Sequence, residues 1–207
     1  MKKFDNNVIS DKFLAIDIET TNLDFNAPTA GIIEVYAGIL TKGILTTKIN
    51  ELYYHPNSTD TEEFHKITSE MLKGKPSFEK ANKDELISLL KECCDPSSTL
   101  TLMAYYTPFE YQWLSKFLGV DFTHLRVCDP WNICRILYPD RSHKLIDCAK
   151  DFCGIVPENG WAFHRSADDV KVMTKVYQEL LLDISIDDLT DYDYNSYCYD
   201  VNSYIHE

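Results

Sequence analysis

The sequence predicts an α/β fold in which helices cover the faces of a mixed sheet. Three observations carry this reading. The run Lys12–Glu19 (KFLAIDIE) is apolar enough for a strand buried on both sides. Ile32–Leu40 and Ile44–Tyr54 are strand-like and are joined by Thr41-Lys42-Gly43, a tight-turn signal, so they pair antiparallel. After residue 61 the apolar spacing switches between helical and extended periods, which fits helices and strands in alternation.

The later elements follow from their punctuation. Thr61–Leu72 reads as a short helical patch ending at Gly74, and Ser77–Cys94 as a longer amphipathic helix. Leu100–Tyr105 (LTLMAY) is a fourth strand. Thr107–Leu118 is a helix with Thr107 at the N-cap, Pro108 in the first turn and Gly119 as its stop. A short strand is expected at Leu125–Cys128, then helices at Trp131–Leu137 and His143–Cys153, the second stopped by Gly154. The last helix is Asp168–Leu182, with Val170, Met173, Tyr177, Leu180 and Leu181 on one face.

The chain has 207 residues, enough for one domain with its own core, and a formal net charge of -13. That charge argues against holding nucleic acid by a broad basic surface, though not against meeting phosphate through bound cations. It is also unevenly spread. Lys175 is the last Lys or Arg, and eight of the 33 acidic residues follow it, leaving 25 acids against 20 bases before that point. The division expected is therefore a domain over 1–182 and an acidic, Tyr-rich tail over 183–207. The seven cysteines show no C-x-x-C spacing, and no apolar run reaches the ~18 to 20 residues of a membrane span. The N-terminus lacks an apolar signal stretch, so a cytoplasmic protein with reduced thiols is expected.

Three acidic segments bear on chemistry. Asp17 and Glu19 are two apart in the first strand, so they share a face and project near the strand's end. Two carboxylates pointing together repel unless a cation sits between them, and oxygen ligands suit Mg²⁺ or Mn²⁺. The alternative is an acidic pair at a solvated strand end. Glu110 lies in the first turn of the helix after the fourth strand; Thr107-x-x-Glu110 also reads as a capping box. His164-Arg-Ser-Ala-Asp-Asp169 precedes the last helix. Ser166-x-x-Asp169 is again a capping pattern, and His164 on the loop is either a solvated bystander or a general base near a metal ligand.

Taken together in order and spacing, these segments resemble the DEDD-type 3′–5′ exonucleases of the DnaQ-like group, in the subclass whose last motif carries histidine. The resemblance runs from about Phe13 to Leu182. Asp17-Ile-Glu-Thr-Thr21 is similar to the first exonuclease motif, and Phe109-Glu110 falls where the second has Phe-Asp. His164 to Asp169 matches H-x(4)-D, the third motif. Ile32-Ile-Glu-Val, His65-Lys-Ile-Thr68, Asp129 and the helix ending at Gly154-Ile155 resemble further segments of the family.

The resemblance implies a ribonuclease-H-like fold, a five-stranded mixed sheet flanked by helices. It also implies hydrolysis of the terminal phosphodiester at a single-stranded 3′ end to nucleoside monophosphates, with two Mg²⁺ or Mn²⁺ ions. Asp17, Glu19, Glu110 and Asp169 would hold the ions and His164 would be the general base. Thr20 and Thr21 would contact the terminal nucleotide. DNA is favoured over RNA; an RNA-trimming enzyme would carry the same residues.

The chain departs from the family in its second motif, where Tyr105-Tyr106-Thr-Pro-Phe-Glu110 stands for His-Asn-x-x-Phe-Asp. Glu110 is one methylene longer than Asp. Tyr105 and Tyr106 are candidates for stacking on a base, with core packing the other reading of Tyr105. Asn22 replaces a common Gly and tolerates left-handed backbone. The alternative to an active enzyme is a non-catalytic nucleic-acid- or protein-binding module on the same fold. The tail, with five Tyr among seven acids, is a candidate for packing on the domain or docking a protein partner.

Overall fold

A computed structural model describes residues 12–56, 61–95, 97–119, 125 and 127–183. The strands are β1 (Lys12–Thr20), β2 (Ile32–Thr41), β3 (Ile44–Leu52), β4 (Leu100–Met103) and β5 (Val127–Cys128). They form a five-stranded sheet in the order β3-β2-β1-β4-β5. β1 pairs antiparallel with β2 and parallel with β4, β2 pairs antiparallel with β3, and β4 pairs parallel with β5. The mixed α/β fold and the hairpin are as the sequence predicts. The hairpin turn is made by Lys42 and Gly43, both at positive φ (49° and 78°), which suits the twist of paired strands.

β1 is central, and alternation along it divides the core. Leu14, Ile16 and Ile18 face one side, where they pack with Leu86 and Leu90 of α3 (Lys83–Cys94) and Trp113 and Leu114 of α4 (Pro108–Leu118). Phe13 and Ala15 face the other. There they meet Ile133 and Cys134 of α5 (Pro130–Leu137), Cys148 and Ala149 of α6 (Leu145–Cys153), and Val170, Met173 and Tyr177 of α7 (Ser166–Asp183). Asp17 and Glu19 continue this second face toward the strand's C-terminal end.

Several boundaries differ from the sequence reading. The patch 61–72 is two short helices, α1 (Glu62–His65) and α2 (Ser69–Leu72). Lys66 ends the first in a left-handed conformation, and Thr68 caps the second by accepting from the Met71 N–H. The helix expected from Ser77 is a short 3₁₀ turn, Phe78–Lys80, followed by α3. The break falls at Ala81, whose backbone (φ −104°, ψ −101°) is not helical. β4 stops at Met103, two residues early. Asn22 is not left-handed; its Oδ1 accepts from the Asp24 N–H in a local turn.

Both capping boxes are absent, for one shared reason. The Thr107 N–H that Glu110 was expected to engage donates instead to Asp129 Oδ2 (2.9 Å), and Thr107 has helical rather than cap geometry. Ser166 is the first residue of α7 rather than its cap, and its N–H donates to Glu34 Oε2 (2.9 Å). Buried acids on other elements have taken the donors that local caps would have used. Beyond Asp183 the proposed tail lies outside the described residues. Among the described residues no helix is long and apolar enough to cross a membrane.

Asp129 is fully buried between β5 and α5 and also accepts from the Tyr106 and Trp131 N–H groups through Oδ1, both at 3.0 Å. It joins the end of β4 to the start of α5. Asp129→Ala is expected to lower unfolding free energy by about 2–4 kcal/mol, since charge-assisted bonds are lost and buried donors are left unpaired. Urea denaturation measures this; a loss below about 1 kcal/mol would contradict the role.

Candidate active site

Three elements deliver the acidic residues to one place. β1 presents Asp17 and Glu19 on one face, the first turn of α4 presents Glu110, and the first turn of α7 presents Asp169. Carboxylate oxygens of Asp17, Glu19 and Asp169 lie within 4.8 Å of one another. Glu110 is almost fully buried and lines the same cavity of about 250 Å³ as those three and His164.

The electrostatics are those of crowded, poorly solvated carboxylates. Desolvation, then the charges of Asp169, Glu19, Glu110 and Glu34, push Asp17 well above the usual carboxylate range. Desolvation raises Glu19 likewise, with Asp169 and Glu34 adding to it and Arg165 opposing. Burial raises Glu110, its own backbone N–H pulls the other way, and Asp129, Glu19 and Asp169 add to the rise. Asp169 is pushed up to about 7, mainly by burial, against the hydrogen bond from the His164 N–H. Glu110 Oε2 and Asp169 Oδ1 are buried without a hydrogen-bond partner. Converging anionic oxygens with unmet acceptors fit a hard divalent cation.

The loop carrying His164 is held from two directions. Asp169 Oδ2 accepts from the His164 N–H (3.0 Å), which helps fix the left-handed backbone there (φ 61°). On the other side Glu34, buried in β2 and paired in register with Glu19, receives Arg165 through Nε and Nη2 (3.2 and 2.7 Å). The His164 side chain borders the cavity beside the acids. Partial desolvation and the nearby Lys66 ammonium hold its pKa below the ordinary value.

The proposed nucleotide contacts separate into those that face the cavity and those that do not. Thr20 lines it, but its hydroxyl donates to the Asn22 carbonyl (2.7 Å). Thr21 is fully buried. Its hydroxyl donates to the Thr29 carbonyl and its N–H to the Gly31 carbonyl, so it braces the turn after β1. Tyr105 packs against the second core and its hydroxyl donates to the His143 carbonyl (2.7 Å). Tyr106 is 47% exposed and, with Tyr105, borders a second, larger cavity beside Asp17.

Sequence reasoning passed over three supports. Glu34 and Arg165 are one; an acid inside the apolar run IIEVYAGIL was the available signal, because a buried charge needs a partner. His65 is another. Its Nδ1 accepts from the Ile67 N–H (2.9 Å), so Nε2 carries the proton to Thr61 Oγ1, which in turn donates to the Thr20 carbonyl. This relay anchors the end of β1. The third is the apolar part of the cavity wall, Leu23, Phe64 and Phe109.

Residues 14–177 match the RNase T exonuclease family. The chain belongs to this exonuclease family. The match runs from within β1 through the other four strands and most of α7. This exonuclease also shares its fold with solved structures at low identity. The nuclease domain of 3′hExo, a DEDDh family member bound to rAMP, superposes with a TM-score of 0.62 at 15% identity, covering 85% of this chain and 94% of that one. Exonuclease X in complex with 5′ overhanging duplex DNA gives 0.56 at 15% identity, covering 87% and 97%. The zinc-bound E. coli ExoI–ssDNA complex gives 0.66 at 17% identity, covering 88% of this chain and 42% of that one. Comparison with curated protein sequences gave no significant match.

Two outcomes test this geometry. Glu34→Ala strands the partly buried Arg165 charge and the Ser166 N–H. It should lower unfolding free energy by about 2–3 kcal/mol, the guanidinium's 32% exposure limiting the loss; an unchanged urea midpoint would contradict the pairing. The second concerns pH. A carboxyl whose folded pKa is raised adds stability fully present below its unfolded pKa of about 4 and lost as pH rises through about 7 for Asp169. In EDTA, Asp169→Asn should therefore melt above wild type at pH 8, by about 2 °C or more, and lose that advantage toward pH 5. Mn²⁺ should remove the advantage at pH 8; a wild type more stable than the variant at pH 8 in EDTA would contradict the crowding.

Proposed function

We propose that this chain is a metal-dependent 3′–5′ exonuclease that releases nucleoside 5′-monophosphates from a single strand, DNA in preference to RNA. The observation that carries the reading is the convergence of Asp17, Glu19, Glu110 and Asp169, from three separate elements, on a cavity shared with His164. Two of the three similar structures described above are DNA complexes, and the third holds rAMP; RNA is therefore the substrate to compare.

Asp17, Glu19 and Asp169 would hold one divalent ion, with Asp17 and Glu110 toward a second. Bound Mg²⁺ or Mn²⁺ supplies positive charge for the phosphate and acidifies water. The remaining work belongs to the chain. The apolar wall of Leu23, Phe64 and Phe109 receives the base and sugar of the terminal nucleotide and excludes water around it. His164, with its pKa below the ordinary value, is neutral near pH 7 and accepts the proton of the attacking water. Water's oxygen bonds to phosphorus, the bond to the upstream 3′ oxygen breaks, and that oxygen takes a proton from solvent. Glu110 does not reach back to the Thr107 N–H, and its Oε2, buried without a hydrogen-bond partner, is available to the site.

A 5′-labelled single strand with Mg²⁺ or Mn²⁺ tests the reading. Wild type should shorten it from the 3′ end, Asp17→Ala should be slower by at least about 10³-fold, and Glu110→Ala by about 10²-fold or more. DNA should be cut faster than RNA of the same sequence. A pure wild type inactive with both metals would leave the non-catalytic binding module as the correct reading.

A further inference from the structure

Two thiols and a phenol meet inside the second core, outside the acid cluster. Cys134 of α5 and Cys148 of α6 are free cysteines, each only 1% exposed, and their side chains hydrogen-bond to one another. Tyr105 bonds to both sulfurs, and its own hydroxyl hydrogen goes to the His143 carbonyl (2.7 Å). The Cys148 S–H donates to the Ser142 carbonyl (3.6 Å). With those two hydrogens placed, the Cys134 hydrogen is left for the contact between the sulfurs. That bond, with help from Tyr105, holds Cys148 below the ordinary thiol value against the effect of burial. The same bond and burial push Cys134 up. Cys153, at the end of α6, shows the usual behaviour, since burial pushes it up to about 11. A thiolate is the nucleophilic form, so the pair is asymmetric, with Cys148 the more reactive partner.

The contact joins α5 to α6 and so brackets the segment 138–144. Residues 142–145 form part of the wall of the larger cavity, about 530 Å³, beside Asp17, His164 and Asp169. Tyr105 lines that cavity too, so the thiol pair lies one side chain behind its wall. Burial excludes bulky oxidants and leaves a small peroxide as the oxidant that fits.

We propose that Cys134 and Cys148 are a redox modification site, joined by hydrogen peroxide in a reversible disulfide that reshapes the loop beside the acid cluster. The site stands apart from the exonuclease reading; only its effect on cleavage rests on that reading. The Cys148 sulfur attacks one peroxide oxygen, the O–O bond breaks, and the departing hydroxide takes the thiol proton as water, leaving a sulfenic acid on Cys148. The Cys134 sulfur then attacks the Cys148 sulfur. The S–S bond forms, the S–O bond breaks, and a second water carries off the oxygen and the Cys134 hydrogen. The two thiols give up two electrons in all and one peroxide takes them. The Ser142 carbonyl loses its S–H donor, and α5 is tied covalently to α6. A thiol reductant reverses the bond by exchange.

The full chain in EDTA is treated with hydrogen peroxide, the remaining thiols are alkylated, and the digest is analysed by mass spectrometry. A peptide pair linked through Cys134 and Cys148 should appear, two hydrogens lighter than its reduced parts, and vanish with dithiothreitol. Dimedone should trap a sulfenic acid on Cys148 in Cys134→Ser and nothing on Cys134 in Cys148→Ser. A wild type in which Cys93, Cys94 or Cys153 oxidises while Cys134 and Cys148 stay unlinked, or in which nothing oxidises, would overturn the proposal. The wild-type link decides this even where a serine variant fails to fold. With peroxide removed and Mn²⁺ added, linked protein should cut a single strand about tenfold slower than reduced protein, because small displacements beside a reacting site are costly. Dithiothreitol should restore the rate. Amide hydrogen exchange over 138–144 should also change on linking, by about tenfold. Equal exchange and equal rates in the two forms would overturn the reshaping of the loop. If reduced protein cuts nothing, the exonuclease reading fails by itself, and the link and the exchange still judge the site.

Discussion

The carboxylates of Asp17, Glu19, Glu110 and Asp169 repel one another where partial burial strips their solvation, and the fold holds them there. Desolvation is the largest cause of the raised pKa at each of the four. Without a cation the cluster opposes folding, because a polar group in low dielectric needs a partner. The sheet absorbs that opposition. β1 is buried on both faces by two separate apolar clusters, so its acidic end cannot swing into solvent without unpacking them.

A second set of buried acids does the holding. Glu34 binds the Arg165 guanidinium and the Ser166 N–H, and Asp129 accepts from three backbone N–H groups. Glu34 fixes the chain at Arg165 and Ser166, and with it the orientation of His164 and the start of α7. Asp129 fixes residues 106, 107 and 131. Both take donors that sequence logic would give to helix caps. The division of labour is chemical. Acids whose oxygens are filled by N–H groups are structural, whereas those with buried oxygens still unfilled, Glu110 and Asp169, are available to a ligand.

Much of this was legible in the sequence. Strict alternation along KFLAIDIE placed Asp17 and Glu19 on one face, and the two-residue hairpin gave the antiparallel half of the sheet. The spacing of His164 and Asp169 was read as a motif, and the structure sets them together with the β1 acids. Tertiary competition was not legible. A capping box is a local pattern, and nothing near Thr107 or Ser166 shows that a carboxylate on a distant strand will claim the same N–H. The breaks at Lys66 and Ala81 were hidden for a related reason: continuous helical periodicity does not reveal that burying His65 and Phe78 requires the helix to turn. Tyr106, at φ 65°, donates its N–H to Asp129, 23 residues away, which no local pattern shows.

The net charge of -13 reads differently against this structure. Four of the acids are crowded at one site, and the wall of the neighbouring cavity carries Lys144, so the proposed contact with a phosphate chain would be local rather than spread over a basic face. The central claim is that the crowded acids form a divalent-ion site. Calorimetric titration of Mn²⁺ at pH 7, repeated in buffers of different ionisation enthalpy, tests it most directly. Binding should release protons, because Asp169 titrates at about 7 in the metal-free protein, and Asp17→Ala should abolish both the binding and the release. Millimolar Mn²⁺ that fails to bind wild type, or that binds Asp17→Ala equally well, would contradict the account.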